Sequence, residues 1–278
     1  MSDLEALRRF YARLITTSAG VGDRRIVDAF ATVQRERFLG AGPWLIKVVA
    51  DGYMSSETDD PAVLCQDLVV GLLPSQGLNN GEPSLHARCM GAAMPRPGEQ
   101  VIHVGAGTGY YTAILATLVE PGGHIHAYEI DAELASRASE NLARNANVTV
   151  HAQSAVDAPL PLANVIYVSA GVTHVPGVWL DALAQGGRLV VPLTPTQRLG
   201  IMLLVTRQSD TTYTARVFST AAFIPCIGAR DPQQSLALAS ALDARTPDDV
   251  RSLRRGGEPD ETVWFSGDGW WLSTAAPT

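Results

Sequence analysis

The sequence predicts an α/β fold built on a doubly wound, mostly parallel sheet, and three observations predict it. Between residues 100 and 192, short apolar strands alternate with helical segments through short connections, the pattern of βαβ units. The first of these strands, Val101-Ile102-His103-Val104, runs straight into alternating glycines at 105, 107 and 109. Apolar residues make up 46% and charged residues 18% of the 278, so a large core can be buried.

The elements follow in order. Leu4, Leu7, Phe10, Tyr11, Leu14 and Ile15 have the spacing of an amphipathic helix, and Asp23 can cap a second helix over 26–33. Residues 40–83 are dense in turn formers and predict a loop-rich region. A helix over 84–94 stops at Pro95 and Pro97. Strands are predicted at 101–104, 125–129, 148–151, 165–169 and 188–192, with helices at 110–118, 131–145 and near 178–184. Beyond Pro195, 201–206, 213–219 and 222–226 read as strands of an antiparallel edge. The stretch from Asp231 has a helix at 236–242, a charged patch at 251–261 and a Trp-rich end.

Bulk properties narrow the function classes. The formal charge of −7, with no long basic run, argues against sequence-independent nucleic-acid binding. The charged N-terminal residues do not resemble a secretory leader, and there is no apolar run of about 18 residues, so a cytoplasmic chain off the membrane is expected. Cys65, Cys89 and Cys226 are far apart and read as reduced thiols. His124 and His126 share a strand face but lack a third ligand nearby, so no metal is expected.

The glycine loop is the sharpest local signal. Gly105-Ala106-Gly107-Thr108-Gly109-Tyr110 joins a buried strand to a helix, and glycine lets backbone approach a ligand without a Cβ in the way. A dinucleotide loop needs its third glycine at the place Tyr110 occupies, which argues against a nicotinamide cofactor. Glu129 ends the next strand, where a carboxylate can accept both hydroxyls of a ribose.

On these residues the chain resembles the protein-L-isoaspartate O-methyltransferase family of the Rossmann-like class I methyltransferases. The resemblance spans roughly 23–229 and is carried by VGAGTGYYTAILA (104–116), YEIDAELASRASENL (128–142), NVIYVSAGVTHVP (164–176), GGRLVVPL (186–193) and FIPCIG (223–228). It implies a Rossmann-like, doubly wound, mostly parallel seven-stranded sheet with an antiparallel edge, a helical N-terminal region and a C-terminal extension. The implied division is a substrate-side cap at 1–94, a cofactor-binding core at 95–230 and the extension at 231–278. S-adenosyl-L-methionine is the implied methyl donor, held by Gly105, Ala106, Gly107, Thr108, Gly109, Tyr110 and Glu129, with Ser154 at the adenine. The implied acceptor is a carboxyl oxygen, less readily a hydroxyl, of a peptide, protein or small molecule.

Several positions depart from the family pattern. Its Gly-Gln-Thr-Ile-Ser-Gln-Pro loop corresponds to Gly77-Leu78-Asn79-Asn80-Gly81-Glu82-Pro83, so Gly81 replaces a serine expected near the reacting carboxylate. His103 replaces an acid before the glycine loop, and Gln153-Ser154-Ala155 replaces Gly-Asp-Gly. Because a carboxylate is ionised at neutral pH, the chemistry needs positioning donors rather than a base. Asn79, Asn80 and Ser84 are the candidates, with the alternative that Asn-Asn-Gly is only a turn. His86 and His174 could act as bases for a hydroxyl acceptor, the alternative expected for each being a structural or surface histidine. The missing serine predicts weak isoaspartate repair; the alternatives are a genuine repair enzyme and a non-catalytic cofactor-binding paralogue.

Overall fold

The computed structural model describes residues 3–48 and 52–277. Met1 and Ser2 of the N-terminal reading, and 49–51 within the loop-rich stretch, lie outside the described residues. In chain order the first elements are α1 (Asp3–Ser18), α2 (Arg24–Thr32), α3 (Glu36–Leu39), β1 (Leu45–Lys47), β2 (Tyr53–Ser55), β3 (Gly71–Leu73), β4 (Leu78–Asn79) and α4 (Pro83–Ala93). Then come β5 (Gln100–Val104), α5 (Tyr110–Val119), β6 (His124–Tyr128), α6 (Ala132–Asn141), β7 (Val148–His151), β8 (Ala163–Val168), α7 (Gly177–Ala182) and β9 (Leu183–Leu193). The last are β10 (Gly200–Arg207), β11 (Thr212–Ala221), α8 (Pro232–Ala244), β12 (Ser252–Arg255), β13 (Val263–Gly267) and β14 (Trp270–Ser273).

The chain forms two compact units. One comprises 1–98 and 106–153, the other 99–105 and 154–278.

In the first unit α1 packs on α2 and α4, and α2 packs on α5. Tyr11, Ile15, Ile26, Phe30, Met90 and Ile114 are all buried there. Asp23 caps α2 as its position predicts, its carboxylate accepting from the Arg25 N–H at 2.9 Å. Asp131 does the same for α6, accepting from Leu134 at 3.0 Å. β6 and β7 run parallel, with Ile125 opposite Val148 and Tyr128 opposite His151. The loop-rich stretch holds two small antiparallel pairs, β1 with β2 and β3 with β4. Trp44, Ile46, Leu64, Val70 and Leu72 give it a core of its own, into which Leu134 also packs.

In the second unit β5, β8 and β9 are parallel, and β9, β10 and β11 are antiparallel. The C-terminal extension continues the sheet: β12 pairs with β11, β14 with β12, and β13 with β14. These strands correct the reading of 251–261 as only a charged patch. Ser252 and Leu253 are both buried, and Asp268-Gly269 turns the hairpin of β13 and β14. The strand predicted at 222–226 is also corrected. Only Pro225 forms an isolated bridge, to Gly171, and a proline has no N–H with which to continue a ladder. Among the described residues no helix is long and apolar enough to cross a membrane.

Candidate functional site

The glycine loop after β5 is shaped by residues in the left-handed region. Gly107 has φ +56° and Gly109 φ +95°, and Gly109 caps α5. A Cβ on Gly109 would lie 2.7 Å from Leu142 Cδ1, so this glycine is dictated by packing as much as by conformation. Ala106 donates to the Tyr128 carbonyl at 3.1 Å, and Asn141 Nδ2 donates to the Thr108 carbonyl at 2.9 Å. Tyr110 is buried in the first turn of α5 against Phe30 and Phe38.

Glu129 closes this loop from below. Its Oε2 accepts from the Gly107 N–H at 2.7 Å and its Oε1 from the Asp131 N–H at 3.0 Å. Burial pushes the carboxyl above the usual glutamate range, while the N–H groups of Asp131, Gly107 and Ile130 pull it back. A carboxylate has about four lone-pair sites, so two such bonds leave acceptors for a diol. The Thr108 hydroxyl is buried with no protein partner among the described residues, and an incoming ligand can satisfy it. The donor set therefore suits a nucleoside carrying a ribose.

The predicted acceptor residues lie in the same unit and are held firmly. Asn79 Oδ1 accepts from the Gly81 N–H at 3.0 Å and its Nδ2 donates to the Gly77 carbonyl at 3.3 Å, so its amide is engaged in the turn itself. Asn80 is buried; its N–H donates to the Val70 carbonyl at 2.8 Å, and its Oδ1 accepts from Arg35 Nε at 3.3 Å and Nη2 at 3.1 Å. Ser84 N–H donates to Asp67 Oδ1 at 2.9 Å at the start of α4. Tyr111, in the first turn of α5, reaches the 77–83 loop: its hydroxyl donates to the Gly81 carbonyl at 3.4 Å.

Sequence reasoning missed Arg35 and Asp67. Arg35 is 3% exposed, and its guanidinium donates to the carbonyls of Leu64, Gln66 and Leu68 as well as to Asn80. Nothing in Gln34-Arg35-Glu36-Arg37 distinguishes the buried arginine from its charged neighbours.

In the second unit, Gly105 has φ +77° at the end of β5, and a Cβ there would lie 3.4 Å from the Ser169 carbonyl carbon. Ser154 Oγ accepts from the Val156 N–H at 3.1 Å, closing a turn. His103 is fully buried, its Nε2 2.9 Å from Ser169 Oγ, and burial lowers its imidazole to about 3. An imidazole kept neutral in the fold but titrating near pH 6.5 when unfolded stabilises the fold fully above that value. This contribution is lost as pH falls from there toward 3. The expected cost is up to about 1.4 kcal/mol per pH unit for this one site. Urea unfolding at pH 7 and pH 5 checks it: His103→Gln should flatten the difference, and an equal difference in both proteins would refute the assignment.

Among the described residues no cluster of three or more His, Cys, Asp or Glu side chains is arranged to hold a metal. His124 and His126 do share a face, their rings 4.9 Å apart, and His126 Nδ1 lies 3.2 Å from His151 Nε2. Cys65, Cys89 and Cys226 form no disulfide among the described residues.

Comparison with known proteins identifies the family. The family model for protein-L-isoaspartate(D-aspartate) O-methyltransferase matches residues 12–231. A protein-L-isoaspartate O-methyltransferase of Methylorubrum populi is 33% identical over 233 residues, 82% of this chain and 97% of that protein. Protein-L-isoaspartate O-methyltransferase 2 of Marinobacter nauticus is 30% identical over 231 residues, 81% of this chain and 95% of that protein. Among solved structures, a Plasmodium falciparum putative protein-L-isoaspartate O-methyltransferase in complex with S-adenosyl-L-homocysteine superimposes with a TM-score of 0.62 at 17% identity. It covers 79% of this chain and 97% of its own, and supports the fold. The chain is an S-adenosylmethionine-dependent methyltransferase and belongs to the protein-L-isoaspartate(D-aspartate) O-methyltransferase family.

Proposed function

We propose that this protein methylates the free carboxylate of isoaspartyl residues in peptides and proteins, with S-adenosyl-L-methionine as donor. The observation that carries the reading is the family match across 12–231, which includes the 77–83 loop as well as the cofactor loop. The local geometry at position 81 is a further support for this reading over weak repair. Gly81 has φ +73°, and a Cβ there would lie 2.5 Å from His86 Nε2. Position 81 is thus a left-handed turn with its side-chain space already filled, rather than a site that has merely lost a hydroxyl.

The bound cofactor supplies an electrophilic methyl group; the chain supplies position and exclusion of water. Ala106, Gly107, Thr108, Gly109, Tyr110 and Glu129 hold the nucleoside end, with Glu129 accepting from the ribose hydroxyls. Asn80 and Ser84 position the acceptor loop through Arg35 and Asp67, and Asn79 shapes its turn. An isoaspartyl carboxylate then attacks through an oxygen lone pair, with no protein base required.

Transfer of labelled methyl groups to an isoaspartyl peptide and to its aspartyl counterpart tests the reading. Base-labile label on the isoaspartyl peptide alone is expected; equal labelling of both would indicate a broader carboxyl methyltransferase, and labelling of neither would exclude the proposal. Gly81→Ser alone should lower the rate, because the new side chain meets the His86 ring. A rate increase in that variant would restore the missing-hydroxyl explanation.

A further inference from the structure

We propose that Asn80-Gly81 is a deamidation site that the fold holds shut, with Arg35 and Asn79 as its clamps. Asparagine followed by glycine is the pairing most open to this reaction, because no Cβ shields the nitrogen of the second residue. The Gly81 nitrogen attacks Cγ of Asn80, and the new C–N bond closes a five-membered imide as the bond to the side-chain nitrogen breaks. That nitrogen leaves as ammonia, with the proton that the Gly81 amide gives up. Water then opens the imide at either carbonyl and leaves aspartate or isoaspartate at position 80.

Both reacting groups are held in the folded chain. On the side of the nucleophile, the Gly81 N–H donates to Asn79 Oδ1 at 3.0 Å and the Gly81 carbonyl accepts from the Tyr111 hydroxyl at 3.4 Å, which fixes the plane of the amide. On the side of the electrophile, Asn80 Oδ1 accepts from Arg35 Nε at 3.3 Å and Nη2 at 3.1 Å, and the Asn80 N–H donates to the Val70 carbonyl at 2.8 Å. Asn80 is 8% exposed and Arg35 3%, and the guanidinium is itself fixed by the carbonyls of Leu64, Gln66 and Leu68. Ring closure requires the Asn80 side chain to swing back over the Gly81 nitrogen. That movement breaks the bonds from Arg35 and turns the Gly81 amide out of its bond to Asn79, so the rate follows the population of the locally opened loop. The two products differ in consequence. Aspartate keeps the backbone and places a carboxylate where Arg35 already donates. Isoaspartate routes the main chain through Cβ, adds a backbone atom before Gly81 and breaks the register of the 77–83 loop.

The test reads mass rather than methyl transfer, so its failure is separate from that of the isoaspartyl reading. The full chain is incubated at neutral pH and body temperature, both folded and in guanidinium chloride. After proteolysis, the fragment that holds 77–83 is followed by mass spectrometry for the change of amide to acid. Deamidation at Asn80 is expected in both samples, and about tenfold to a hundredfold more slowly in the folded chain, the factor that corresponds to releasing one buried hydrogen bond to a charged group. Asn79→Ala, which releases the Gly81 N–H, and Arg35→Lys, which has fewer donors, should each speed the folded reaction by about threefold or more. In denaturant their rates should match that of the parent. Should Arg35→Lys fail to fold, Asn79→Ala decides. Equal rates in the folded and denatured parent, or a folded Asn79→Ala no faster than the parent, would overturn the inference, as would a mass change confined to Asn79.

Discussion

Glu129→Ala is expected to weaken S-adenosylhomocysteine binding by roughly 1.5–3 kcal/mol, the scale of hydrogen bonds to a charged group. The carboxylate is buried and already receives the N–H groups of Gly107 and Asp131, so its removal strikes the ligand contact and the loop together. A cofactor analogue without ribose hydroxyls separates these effects. If Glu129 accepts from the ribose, the mutation should cost the analogue much less than it costs the natural ligand. Equal losses would reduce Glu129 to a loop anchor. Binding should also depend on pH in a definite direction. Burial raises the folded pKa of Glu129, so protonation begins above the ordinary glutamate range and removes acceptors as pH falls. Calorimetric titrations from neutral to mildly acidic pH should therefore show affinity declining on the acid side in the parent, with a flatter profile in Glu129→Gln.

Arg35→Met should be among the most destabilising single substitutions in the first unit. The guanidinium serves the carbonyls of Leu64, Gln66 and Leu68 and the Asn80 amide oxygen, and all of these lose donors at once. Buried acceptors left unpaired cost about 1–3 kcal/mol each, and since nearby groups relax together a total of about 3–5 kcal/mol is expected. Chemical denaturation measures the loss. The functional consequence follows from the same contacts: Arg35 ties 64–68 to Asn80, and Asp67 in that segment holds Ser84. Arg35→Lys, with fewer donors and no planar fork, should fall between parent and Met variant. A Met variant as stable as the parent would show that the carbonyls find other donors.

What the sequence made legible is what depends on local pattern. The βαβ rhythm, the Asp23 and Asp131 caps, the glycine loop and the acid at the end of β6 all follow from spacing and turn chemistry, and each stands where its pattern places it. The acceptor loop was legible as a segment but not in its mechanics. Asn79 and Asn80 look alike in sequence, yet one builds the turn while the other docks on a buried arginine 45 residues away. Gly81 reads as a deletion until its φ and the His86 ring are seen together, because that pairing is tertiary. The strands of the extension were hidden by charge and by the lack of alternation: in β12 the adjacent Ser252 and Leu253 are both buried, and Arg254 and Arg255 follow them. The Asp268-Gly269 turn between aromatic runs was the available signal for the last hairpin.

The proposed reaction requires a nucleoside held by Glu129 and the glycine loop, with a peptide carboxylate presented at the 77–83 loop. A crystal structure with S-adenosylhomocysteine and an isoaspartyl peptide tests it most directly. The expected result is both ribose hydroxyls on the Glu129 carboxylate and the isoaspartyl carboxylate against the 77–83 loop. A nucleoside bound away from Glu129, or a peptide carboxylate bound away from the 77–83 loop, would contradict it.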